Sequence, residues 1–159
     1  MGHRLATCPA FTRPSDTTAY ASADVIGPVT TPASMTFGVD CNSGRIRSAV
    51  LIDGACVATK LDADLFIFDT DLTPDADNAA FTPTDAELAT CIGTLTFAAA
   101  SAKIGDATSG AGGNVITVAT GDLPFATVNR KLYGVLIARS AYAPVSAQTF
   151  QIRLGIETT

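Results

Sequence analysis

The sequence predicts an all-β protein, an antiparallel β-sandwich of jelly-roll type. Three observations lead there. Short apolar runs alternate with polar residues at a period of two, the pattern of half-buried strands. Gly, Pro, Asn, Asp and Ser clusters punctuate those runs throughout the chain. No apolar 3.6-residue period persists, which leaves room for one short helix at most.

The N-terminal stretch to Pro32 is rich in Thr, Ser, Ala and Pro. Arg13 precedes Pro14, which pushes it away from helix, and Ser15 and Asp16 favour a turn. Residues 1–32 therefore read as an extended segment. It could be an arm across a neighbouring subunit or an edge strand followed by a surface loop. In the arm reading, residues 1–18 can be removed without unfolding the domain, which would comprise residues 33–159. Met35, Phe37 and Val39 then alternate with Ser34, Thr36 and Gly38. Ile46, Val50 and Ile52 are expected on one face of the next strand, with Arg45, Arg47 and Leu51 on the other. Leu61, Ala63, Leu65 and Ile67 form an inward row, until Phe66 and Phe68 make both faces apolar. Thr84 and Glu87 have capping-box spacing and predict a short helix over about 85–90. Leu95 and Phe97 mark the next strand. The Gly-rich stretch 105–114 reads as a hairpin loop before the β-branched run Val115–Val118. Residues Leu132–Ile137 are apolar on both faces, as in a strand covered on both sides. Phe150, Ile152, Leu154 and Ile156 alternate with Gln151, Arg153, Gly155 and Glu157 in the clearest strand of all. The total is about eight strands, the jelly-roll number.

Composition bounds function. The 159 residues are the size of one domain, large enough to fold without metal or disulfide. Only 16% are charged against 47% hydrophobic, which leaves surface for contacts with other subunits. A net charge of −5, with scattered Lys and Arg, argues against nucleic-acid binding, which needs clustered cations. No apolar run reaches the ~20 residues of a membrane span. Met1-Gly2-His3-Arg4-Leu5 lacks the apolar core of a signal peptide. The four cysteines, Cys8, Cys41, Cys56 and Cys91, are widely spaced without a Cys-x-x-Cys pair. Reduced thiols are expected, and no zinc site.

Candidate chemistry is sparse. The sole histidine, His3, lies near the terminus, so a His-dependent nucleophile has no base in the body of the chain. The Gly-rich stretch lacks the Gly-Lys-Ser/Thr ending of a phosphate loop. Ser-Lys and carboxylate-dyad mechanisms need no histidine, but no sequence signature supports either; no cofactor is expected, and a non-enzymatic role is the expectation. Asp69, Asp71, Asp75 and Asp77 form the one acidic constellation, a weak calcium candidate. Its third ligand position holds Thr73, and Pro74 stands near the turn where a calcium loop has glycine. Tyr20, Tyr133 and Tyr142 are the available aromatics for a sugar-binding platform.

Two segments carry a resemblance. Phe11-Thr12-Arg13-Pro14-Ser15-Asp16-Thr17-Thr18-Ala19-Tyr20-Ala21, continuing through Asp24-Val25-Ile26-Gly27, is one. Tyr133-Gly134-Val135-Leu136-Ile137-Ala138-Arg139-Ser140-Ala141-Tyr142, with Pro144 and Ser146-Ala147-Gln148-Thr149-Phe150, is the other. Together, over about a quarter of the chain, they resemble a family of small virion structural proteins of tailed bacteriophages. The resemblance implies a head-decoration, or cement, protein on the capsid surface of the virion, made in the bacterial cytoplasm. Its implied partners are the major capsid protein and further copies of itself, as a homodimer or homotrimer. Phe11, Arg13, Asp16, Tyr20, Arg139 and Tyr142 are then the candidate interface residues. A tail or neck component, or a receptor-binding fibre module, fits the same composition.

Overall fold

The computed structural model describes residues 2–28, 32–55, 57–104 and 113–158. Among them the strands are β1 (Gly2–Thr7), β2 (Phe11–Thr12), β3 (Met35–Gly38), β4 (Ser43–Asp53), β5 (Ala63–Phe68), β6 (Cys91–Phe97), β7 (Lys103–Ile104), β8 (Asn114–Ala126), β9 (Lys131–Ala138) and β10 (Thr149–Thr158). One helical turn, α1 (Asp85–Leu88), sits before β6, and a 3-10 turn spans Ala99–Ser101. The capping box expected at Thr84 and Glu87 is formed, and Thr84 holds the Glu87 carboxyl below its ordinary range.

The strands make two antiparallel sheets. One has the order β1-β10-β4-β8-β7, with β2 also paired to β10; the other has the order β3-β9-β5-β6. Set aside the two-residue strands and the logic is plain. β5 and β6 form a hairpin, and β4 pairs β8, β3 pairs β9 and β1 pairs β10 outside it. This is one long antiparallel ribbon wrapped around a core, which is the jelly roll.

The core follows from side-chain alternation. Phe150, Ile152, Leu154 and Ile156 of β10 meet Leu61, Ala63, Leu65, Ile67, Phe37, Leu95 and Phe97 from the other side. β9 is buried on both faces, as its sequence requires. Leu132 and Leu136 enter the main core, while Tyr133, Val135 and Ile137 face a second cluster with Val25, Phe68 and Leu72. Val25 belongs to the N-terminal segment and Leu72 to the acidic loop, so these two stretches form the outer cover of β9.

In β4 the structure corrects the sequence expectation. The pairing of β4 slips between Ile46 and Ser48, a β-bulge. One extra residue flips every following side chain to the other face. Ile46 therefore points inward, but so do Ala49, Leu51 and Asp53, whereas Val50 and Ile52 are half-exposed on the outer face.

The N-terminal segment is part of its own domain. β1 completes an edge of the large sheet along 153–158 of β10, and β2 continues along Phe150 and Thr149. Beyond it, Tyr20 bridges Tyr142, Asp24 bridges Ala80 and Val25 bridges Ile137. Residues 2–25 thus pair with strands and loops of their own chain. The Gly-rich stretch lies outside the described residues from 105 to 112.

Candidate functional site

The polar side chains of greatest interest form two closed clusters at the base of the N-terminal segment. Arg13 is the centre of the first. It follows β2, is held extended by Pro14, and is fully buried at 0% exposure. A buried guanidinium is tolerated only if all five of its N–H groups find acceptors. Nε donates to the Tyr20 hydroxyl at 2.8 Å. Nη1 donates to the carbonyls of Pro14 and Asp16 at 3.2 and 2.5 Å. Nη2 donates to Asp16 Oδ1 at 2.9 Å and to Asp77 Oδ2 at 3.4 Å. Tyr20 in turn donates its proton to Asp77 Oδ1 at 2.6 Å, which also accepts the Gly27 N–H at 3.0 Å. The guanidinium carbon lies 5.3 Å from the Tyr20 ring centroid.

The electrostatics follow from this arrangement. Burial works against the Arg13 charge, but the bonds to Tyr20 and Asp16 outweigh it and hold its pKa above the ordinary value. Arg13 lowers the Asp16 carboxyl. Burial, with Asp77 beside it, raises the Tyr20 hydroxyl well above its ordinary value.

Asp53, at the end of β4, is the centre of the second cluster and is 1% exposed. Its Oδ1 accepts the Ala55 N–H at 2.9 Å and Gln148 Nε2 at 2.5 Å. Its Oδ2 is approached by the Tyr142 hydroxyl at 3.4 Å and Asn114 Nδ2 at 3.5 Å. Gln148 Nε2 also reaches the Tyr142 hydroxyl at 2.7 Å. All these donors are neutral, so desolvation dominates and raises the Asp53 pKa. Burial likewise raises the Tyr142 hydroxyl, with Asp53 adding to the effect.

Tyr20 and Tyr142 couple the clusters. Their rings stack with centroids 6.5 Å apart and an interplanar angle of 17°. Their backbones exchange hydrogen bonds of 2.9 and 3.2 Å. The Arg13 N–H donates to the Gln148 carbonyl at 3.0 Å, and Ala147 N–H donates to Pro14. The two segments that carry the family resemblance, remote in sequence, are thus bonded to each other through their polar and aromatic residues.

A carboxylate with a raised pKa is a common mark of catalysis. Here Asp53, Tyr142, Gln148 and Asn114 are all buried. Their burial holds the carboxylate away from solvent. What the two clusters do is tie together β2, the end of β4, the loop after β5 and the turn before β10.

The interface candidates therefore divide. Arg13, Tyr20 and Tyr142 are corrected: they are buried inside the protomer because each completes an internal hydrogen-bond network. Asp16 and Arg139 remain exposed, Arg139 paired with Asp64 at 3.4 Å. Phe11 is half-buried, its ring 5.8 Å from Phe150. It borders an apolar cleft of about 210 Å³ shared with Val25, Ile26, Met35, Pro74 and Leu136.

The calcium candidate is also corrected. Asp69 accepts from Thr70, Asp71 from Ser34, Asp75 from Thr82, and Asp77 from Tyr20, Gly27 and Arg13. Four aspartates with four separate sets of partners do not converge on one ion. Among the described residues no group of three or more His, Cys, Asp or Glu side chains could hold a metal. Nor do the tyrosines offer a platform, since Tyr20, Tyr133 and Tyr142 are all buried. Cys8, Cys41 and Cys91 are free thiols. Burial pushes the Cys8 thiol up, and its sulfur accepts the Ile152 N–H. Cys56 lies outside the described residues.

Sequence reasoning missed Asp53, Gln148 and Asn114. The β4 alternation, read without the bulge, put Asp53 on the outer face.

Among known proteins, no family model and no curated sequence matches this chain.

Proposed function

We propose that the chain is a non-enzymatic structural protein of a tailed-phage virion, which binds the outer capsid surface as a decoration protein and self-associates there. The observation that carries this reading is the fate of its polar side chains. Arg13, Asp53, Tyr20, Tyr142 and Gln148 are spent on cross-linking the chain's own segments. That is how a shell protein gains rigidity, and it leaves the outside for contacts. The resemblance of segments 11–27 and 133–150 to phage structural proteins supports the phage assignment. A low charge density suits extended contact with other subunits. Multiplicity on a lattice makes modest single contacts sufficient. The jelly-roll fold by itself adds nothing to this assignment, since it hosts many unrelated functions.

The test is reconstitution. The purified chain is mixed with particles of its phage that lack it. Co-sedimentation with the particles, together with a higher temperature of DNA release, is expected. Protein that stays in the supernatant overturns the reading.

A further inference from the structure

We infer that β1 is a dimerisation edge, through which two copies pair antiparallel across a two-fold axis at Leu5 and merge their large sheets. β1 pairs β10 on one side, and among the described residues no strand pairs it on the other. An edge left in this state is a template for a further strand unless it is blunted. β1 carries no proline, its one charged side chain, Arg4, is paired with Asp40 of the same chain at 3.4 Å, and its register with β10 runs without a bulge from Gly2 to Thr7. The second sheet has two edge strands, β3 and β6; β3 is only four residues long and lies beside β1, and β6 is protected differently. There β6 lies against β8, with Leu123 packed where a Gly93 side chain would be.

The backbone fixes which residues can bond a partner. Cys8 N–H donates to the Ile152 carbonyl, and the Gly2 backbone bonds the Thr158 hydroxyl. Even-numbered residues therefore direct their N–H and C=O toward β10. By the alternation of antiparallel ladders, His3, Leu5 and Thr7 direct theirs to the open edge.

The occupant that fits is a second copy. Pairing about a dyad at Leu5 sets Leu5 against Leu5 of the other copy, and His3 against Thr7 in both directions. These are the three residues with open backbone groups, so each of them finds a partner. The same register sets Arg4 opposite Ala6 instead of opposite another Arg4, which avoids a like-charge pair. Leu5 is 61% exposed in the protomer, opposite Gly155 on β10. At the dyad the two leucines cover each other on the outer face. This is a closed, isologous contact, and it can form in the pure protein independently of any capsid.

The experiment is sedimentation equilibrium on the full chain, with variants at Leu5. The wild type is expected at twice the chain mass of 16.3 kDa. Leu5→Lys changes an exposed side chain but places two ammonium groups face to face at the dyad. It is expected to give a monomer with an unchanged circular dichroism spectrum. Leu5→Cys reports the register. Directly paired residues have Cα atoms about 5.5 Å apart, inside the disulfide range of roughly 4.4–6.8 Å. Under mild oxidation this variant is expected to form a covalent dimer. His3→Cys, whose two copies would lie roughly 14 Å apart at ~3.4 Å per residue, is expected to form none. A wild type that is monomeric or trimeric, a dimer that survives Leu5→Lys, or equal cross-linking from His3→Cys each overturns the inference.

Discussion

Replacing Arg13 with methionine keeps much of its bulk and removes its charge and its five donors. Its partners are left in place. The Asp77 carboxylate, 7% exposed, retains Tyr20 and Gly27 but loses its cation, and the Tyr20 hydroxyl loses a donor. Removing one member of a buried ion pair costs about 3–5 kcal/mol, because the other charge stays buried without compensation. The contact to Asp16 is half-exposed and adds little. The lower end, about 3 kcal/mol, is therefore expected. A domain of this size shifts about 2–4 °C per kcal/mol, so calorimetry is expected to show a fall of roughly 6–12 °C in Tm. A second variant separates charge from packing. Arg13→Met combined with Asp77→Asn removes both charges, and its destabilisation is expected to be smaller than the sum of the two single changes by at least ~1 kcal/mol. A fall below about 2 °C for Arg13→Met, or strict additivity in the double variant, would refute the assignment of Arg13 as the latch of the N-terminal segment.

Other outcomes follow from the same geometry. Deleting residues 1–18 removes β1, β2 and Arg13 together, so the truncated chain is expected to lose its cooperative thermal transition; a cooperative transition near the parent Tm contradicts this. Asp53 has a folded-state pKa above the ordinary 3.8. Its proton-linked stabilisation is complete below that pH and is lost as pH rises through the folded value. The stability of the wild type relative to Asp53→Asn is thus expected to decline with rising pH in urea titrations, and a flat or rising difference is the contrary result. Gly44→Ala places a Cβ 2.6 Å from the Glu157 carbonyl oxygen, and overpacking of this kind is expected to cost about 1–3 kcal/mol in urea denaturation. Millimolar calcium is expected to leave Tm unchanged, because Asp69, Asp71, Asp75 and Asp77 serve separate partners; a calcium-dependent rise of several degrees would restore the site.

Much of the fold was legible because it depends on local alternation. β10, β5 and β3 show their buried faces directly in sequence, and the Thr84–Glu87 cap is a local motif that forms as written. The inward face of β4 after Ile46 is not legible, because a bulge is a one-residue event with no side-chain signature of its own. Its inward row is broken in sequence by Arg47 and Ser48, and the half after the break was assigned to the wrong face. That error hid Asp53. The polar clusters were illegible for a different reason. Arg13 and Asp77, or Asp53 and Gln148, are far apart in sequence, and only the wrapping of the ribbon brings them together. A proline after Arg13 and a Ser-Asp turn are compatible with a free arm or with a latch. The tyrosines show a related ambiguity, since Tyr20 and Tyr142 could serve a binding platform, although core or interface packing is the more common fate of such residues. Which one forms is decided by whether their hydroxyls find partners, here Asp77 and Asp53.

The proposed place on the outside of a phage head is tested by gold-labelled antibody against the chain on intact virions viewed by electron microscopy. Gold distributed over the head is expected. Gold confined to the tail or its tip, or particles that contain the chain and take no label, would contradict it.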